Sequence, residues 1–215
     1  MTMFIRLAFG AAAWSAAITG SFAAETAIFP ALKGDLVSLQ GGKVKKFDET
    51  SLAQTKYFGI YYSASWCGPC RAFTPDLVAW YDSAKKANPQ FELIFVSSDQ
   101  SEPEMEKYMA GDSMPWPALA FTKKKSNKTL THYAGNGIPC LVFVDAQGNV
   151  LSDSYEKGTY VGPRKVLKDI EKTLKENPAS AAGNAAAPAA TPNSLSTVKV
   201  RGSTFDEAFK KKPAQ

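Results

Sequence analysis

The sequence predicts an α/β fold in which a central mixed β-sheet carries helices on both faces. Three observations lead there. Runs rich in aromatic and branched apolar residues at 56–63, 91–97 and 138–144 read as buried strands. Helix-period apolar faces recur between and after them, at 69–87 and 163–176. The alternation then ends in a hairpin, so the sheet must hold antiparallel as well as parallel neighbours.

Residues 24–34 form a short apolar lead-in, and Asp35 to Phe47 reads as a hairpin around Gln40-Gly41-Gly42. The strand at 56–63 hands over to a helix from Pro69 to Ala87, where Phe73, Leu77, Val78, Trp80, Tyr81 and Ala84 share a face. Pro75 lies inside it and predicts a kink near Arg71 to Thr74, and Asn88-Pro89 ends it. After Phe91–Ser97 a helix is expected from Pro103 through Met109, capped by Ser101 with Glu104 three residues on. Met114 to Leu119 reads as a proline-pinned loop, and a short helix is expected within Phe121–Tyr133. Ile138 to Val144 is a strand that opens on a proline, Asp145 to Asn149 turns, and Val150-Leu151 begins the next strand. Val166, Leu167, Ile170 and Leu174 line the closing helix.

At 215 residues there is room for one ordinary domain with extensions. The first 23 residues read as a secretory signal: Arg6 is the positive region, Leu7 to Ile18 the apolar core, and Ser21 and Ala23 the small residues a signal peptidase inspects. Cleavage is expected after Ala23, with Ala24 the near alternative. The domain is expected over 24–177. An Ala/Pro-rich linker over 178–194 has too little apolar bulk to order itself. A basic tail over 195–215 is expected to be disordered. Export places the chain in a periplasm or outside the cell, where disulfides persist. The formal charge of +5 is modest, and only Lys123–Lys125 and Lys210–Lys212 cluster, which argues against a nucleic-acid partner. Beyond the signal no apolar stretch is long enough to span a bilayer, and a monomer is expected.

Chemistry concentrates in Trp66-Cys67-Gly68-Pro69-Cys70. The motif sits where a strand hands over to a helix N-terminus, whose unsatisfied N–H groups and positive dipole end favour a thiolate. Two cysteines two residues apart can there close into a disulfide and reopen. A zinc site needs four ligands, and beyond the pair the chain offers only Cys140 and His132. A purely structural disulfide over so short a loop gains little. The redox reading is therefore preferred over both. Cys140 reads as a small buried apolar residue, or as a third thiol that with Cys67 and Cys70 traps soft Cu(I). His132 reads as a surface or helix-end residue. Trp80 is expected in the core, and Trp116 is assigned to packing ahead of contact. No Ser-His-Asp set, phosphate loop or paired-carboxylate site stands out.

These residues resemble the thioredoxin superfamily. Trp66-Cys67-Gly68-Pro69-Cys70 is its motif, Pro75 falls where the family kinks its active-site helix, and Ile138-Pro139 resembles its cis-proline dipeptide. Tyr61 to Cys67, Arg71 to Pro75 and Met114-Pro115-Trp116 resemble its tryparedoxin and nucleoredoxin branch, and the likeness covers about residues 33–176. That branch carries Pro-Pro between the cysteines where this chain has Gly68-Pro69, and thioredoxin keeps a buried aspartate where this chain has Tyr61.

The resemblance implies a thioredoxin-like fold and a protein-disulfide oxidoreductase without bound cofactor or metal. Cys67, exposed at the helix start, would attack a partner disulfide, and Cys70 would resolve the mixed disulfide. Trp66, Gly68, Pro69, Ile138 and Pro139 would contact substrate, the backbone of Ile138 pairing with an extended segment. The partners implied are protein disulfides and an upstream dithiol reductant. Gly-Pro between the cysteines marks the reducing members, and exported relatives often serve cytochrome c maturation, an analogy only. The competing class is a copper-handling module built on Cys67, Cys70 and Cys140.

Overall fold

The apolar run YFGIYYS becomes the strand β3 (Tyr57–Ser63) at the heart of a seven-stranded sheet. This computed structural model describes residues 27–179. The expected signal at 1–23, the tail at 195–215 and all but the first two residues of the linker lie outside the described residues.

Before β3 come a one-turn helix α1 (Ile28–Leu32) in the apolar lead-in and the hairpin strands β1 (Leu36–Gln40) and β2 (Lys43–Lys46). After it come α2 (Gly68–Ala87), β4 (Phe91–Ser97), α3 (Glu102–Gly111), β5 (Ala118–Leu119), α4 (Lys128–His132), β6 (Cys140–Asp145) and β7 (Val150–Asp153). A small separate hairpin, β8 (Tyr155–Glu156) and β9 (Thr159–Tyr160), precedes α5 (Pro163–Glu176). The sheet order is β2-β1-β5-β4-β3-β6-β7. β3 pairs parallel with β4 and antiparallel with β6, so the sheet is mixed as expected.

The period-two alternation of the central strands builds two cores. Tyr61, Phe91, Leu93, Phe95, Leu141 and Phe143 face α2, α3 and α5, while Phe58, Ile60, Tyr62, Ile94, Val142 and Val144 face α1 and α4. Trp80 and Trp116 both lie in the first core, Trp116 with its ring edge-to-face on Tyr61 and Tyr81. Ser101 caps α3 by accepting the Glu104 N–H, and Glu104 reaches back to the Gln100 N–H.

Two elements depart from the sequence reading, β5 and the β8–β9 hairpin. The expected loop at 114–119 contains β5, which joins β1 to β4; two residues after a proline are too short to show periodicity. As expected, α2 runs to Ala87 with Pro75 inside it, where the missing N–H leaves the Arg71 carbonyl without its helical donor. The β8–β9 hairpin turns on Lys157-Gly158, both in the left-handed region at φ 50° and 82°, the geometry of a two-residue hairpin loop.

Asp112 closes α3 at the negative end of its dipole, and its Oδ2 is buried without a hydrogen-bond partner. Burial raises its pKa, an effect the nearby Arg71 charge partly offsets. A carboxyl whose folded pKa is raised penalises the native state above that pKa and is relieved as pH falls through it. Asp112→Asn should therefore raise Tm at neutral pH, and the gain over wild type should shrink on acidification. A lower Tm at neutral pH would contradict this.

Candidate active site

β3 and β4 run parallel with Ser63 opposite Ser97, so the segments leaving their carboxyl ends lie side by side. Open α/β sheets bind their ligands at this end. Asp99, beyond β4, is buried and holds the segment beyond β3: its Oδ1 accepts the Ser65 N–H (2.8 Å) and hydroxyl (2.7 Å). Its Oδ2 accepts the Ser97 hydroxyl at 2.8 Å. Trp66 donates its Nε1 to the Ser98 carbonyl (3.3 Å), and the residue is 58% exposed.

This clamp delivers Cys67 to the N-cap of α2, where its Sγ accepts the Cys70 N–H at 3.2 Å. Pro69 occupies the first turn, where a missing N–H leaves nothing unpaired. Cys67 and Cys70 are joined as a disulfide with their Cα atoms 5.2 Å apart. Cys67 is only 6% exposed, a correction to its expected open position: Ala64 and Ile138 pack with the two cysteines. It is still the more open of the pair, since Cys70 is fully buried. Gly68 and Pro69 are exposed beside it. Across from it, the peptide Ile138-Pro139 is cis, and the Ile138 carbonyl oxygen lies 3.7 Å from Cys67 Sγ. Pro139 is buried, and its carbonyl accepts the Tyr160 hydroxyl at 2.8 Å.

Beneath Cys70 lies a buried set of hydroxyls. Thr74 Oγ1 donates its one hydrogen to the Cys70 carbonyl (3.0 Å), so it must accept from both phenols beside it, Tyr61 (2.9 Å) and Tyr108 (2.7 Å). Tyr108 has then spent its own hydrogen and accepts from Ser63 at 2.9 Å. Burial holds the pKa of both phenols above the ordinary value, so this set stays neutral where thioredoxin keeps a carboxylate.

Cys140 does not join the pair. It is fully buried in β6 and belongs to the core facing α1 and α4, whereas Cys67 and Cys70 sit at the head of α2 on the opposite face. Desolvation pushes its thiol up to about 11. The three-thiol copper site is thus not assembled, and among the described residues no group of three His, Cys, Asp or Glu side chains could hold a metal ion. His132 is exposed in the last turn of α4. Asp99, Thr74, Tyr108 and Tyr160 were missed in the sequence. Only Asp99 left a trace there: pairing the two strands in parallel register places Ser65 and Asp99 together.

Fold and site together define a thiol–disulfide oxidoreductase domain. A family model described as thioredoxin-like matches residues 54–150. The nucleoredoxins of Mus musculus and Homo sapiens are each 40% identical over 105 residues, which is 48% of this chain and 24% of theirs. The matched part is thus about a quarter of those relatives' length. Among solved structures, tryparedoxin II from Crithidia fasciculata is 32% identical with a TM-score of 0.52, over 73% of this chain and 99% of that one. A tryparedoxin II complexed with glutathionylspermidine is 34% identical with a TM-score of 0.51, over 69% of this chain and 99% of that one. The chain belongs to the thioredoxin-like family.

If Asp99 holds the loop before Cys67, Asp99→Ala strands the Ser65 and Ser97 donors. The expected cost is about 2 kcal/mol in urea unfolding, with a slower disulfide-exchange rate. Unchanged stability and rate would show that the clamp is dispensable.

Proposed function

We propose that the chain is an exported thiol–disulfide oxidoreductase that reduces or exchanges protein disulfides through Cys67 and Cys70. The observation that carries this reading is the asymmetry of the pair. Cys67 alone combines an opening to solvent with a backbone donor on its sulfur, while Cys70 is sealed one turn inside.

The reduced Cys67 thiolate attacks one sulfur of a partner disulfide, forming a mixed disulfide and expelling the partner's other sulfur as a thiolate. Cys70 then loses its proton and attacks Cys67 Sγ. The Cys67–Cys70 bond forms, the mixed bond breaks, and the partner leaves as a dithiol carrying two electrons and two protons. An upstream dithiol protein restores the pair by the reverse exchange, so no bound cofactor is needed. Trp66, Gly68 and Pro69 would receive the partner beside Cys67. The Ile138 backbone would pair with its extended segment, and the Ile138 carbonyl already lies 3.7 Å from the reacting sulfur. Export to a periplasm or beyond is supported by the apolar core Leu7–Ile18 behind Arg6. The domain would act as a monomer.

Cys67→Ser should abolish reduction of insulin disulfides by the full chain. Cys70→Ser should leave a mixed disulfide trapped on Cys67, visible as a mass increase that dithiothreitol removes. A trapped adduct on Cys140 instead, or full activity in Cys67→Ser, would overturn the assignment.

A further inference from the structure

Two aromatic side chains near the disulfide share an arrangement that packing alone does not require. Each has its polar atom bound to a backbone carbonyl while much of the residue remains open to solvent. Trp66 donates to Ser98 at the end of β4 and is 58% exposed; Tyr160 donates to Pro139 before β6 and is 48% exposed. In the sheet β4 and β6 lie on opposite sides of β3, and the chain leaving β3 carries Cys67 between them. The two rings are therefore anchored on the segments either side of the one that carries the disulfide.

The tyrosine side is built for this. Tyr155 packs on Tyr160 with ring centroids 5.1 Å apart, and it closes so tightly over Gly135 that a Cβ there would lie 2.3 Å from the Tyr155 ring. The Tyr155 hydroxyl also lies close over Gly137, 3.0 Å from where a Cβ there would stand. The β8–β9 hairpin thus holds the 135–139 segment at two points, and Tyr160 is the one on Pro139, the residue after Ile138. An anchored ring loses little conformational freedom when a ligand stacks on it.

We propose that Tyr160 is a specificity-determining residue: its hydroxyl positions the Ile138-Pro139 backbone, and its ring receives an aromatic or large apolar side chain next to the substrate's cysteine. The substrate class is an extended polypeptide disulfide with such a flanking residue. This rests on the disulfide-exchange reading above.

The test uses the full chain with two disulfide-bridged peptides, one with Phe and one with Ser beside the cysteine, and with 2-hydroxyethyl disulfide as a substrate too small to reach Tyr160. Wild type should favour the Phe peptide about fivefold in kcat/KM. Tyr160→Phe keeps the ring and should keep the preference, while raising KM for both peptides about fivefold. Tyr160→Ala should lose the preference. Both variants should lose less rate on 2-hydroxyethyl disulfide than on the peptides. If Tyr160→Ala keeps the preference, Tyr160→Phe leaves both KM values unchanged, or either variant slows all three substrates alike, Tyr160 is a structural strut and the proposal falls. If wild type fails to reduce 2-hydroxyethyl disulfide, it is the disulfide-exchange reading that fails, and Tyr160 with it.

Discussion

The site depends on a single backbone donor, the Cys70 N–H bonded to Cys67 Sγ at 3.2 Å. It makes a sulfur the capping atom of a twenty-residue helix, so the start of α2 and the placement of the nucleophile are one event. Packing of β3 between β4 and β6 decides where that helix begins, and the Asp99 clamp on Ser65 fixes the approach. An unpaired helix-terminal N–H stabilises negative charge at short range. The same bond therefore shapes the fold and favours the thiolate over the thiol.

What surrounds that bond bears on how well the reduced pair is stabilised. A disulfide becomes strongly oxidising when the reduced form is unusually well stabilised. Here the structure gives Cys67 Sγ one backbone donor, and the shell under Cys70 consists of neutral hydroxyls spent on one another. That single donor is the physical basis of the reducing or exchanging role proposed above. Thr74 links the two halves: its hydroxyl ties the Cys70 carbonyl to phenols from β3 and α3, so the resolving cysteine is held by the core as well as by the helix.

Much of this was legible in the sequence because period and punctuation agreed. The continuous aromatic and apolar run of β3, the glycine turn of the first hairpin and the face of α5 each pointed to one structure. Trp66, Cys67, Cys70, Ile138 and Pro139 were singled out, and the fold brings them to one end of the sheet. What stayed hidden was tertiary. Asp99 and Ser65 are 34 residues apart and meet only once β3 and β4 pair. β5 and β8–β9 have two-residue strands, too short for alternation to register. Cys140 follows Pro139 in sequence, yet the pleat sends it to the other core, away from the disulfide.

The reduction potential of the Cys67–Cys70 pair, obtained by equilibrating the full chain against glutathione buffers, tests the central claim most directly. A modestly stabilised thiolate at a helix N-terminus predicts a value near that of thioredoxin, about −270 mV. A value near about −120 mV would mark an oxidant whose reduced form is strongly stabilised, contrary to the single-donor site described above.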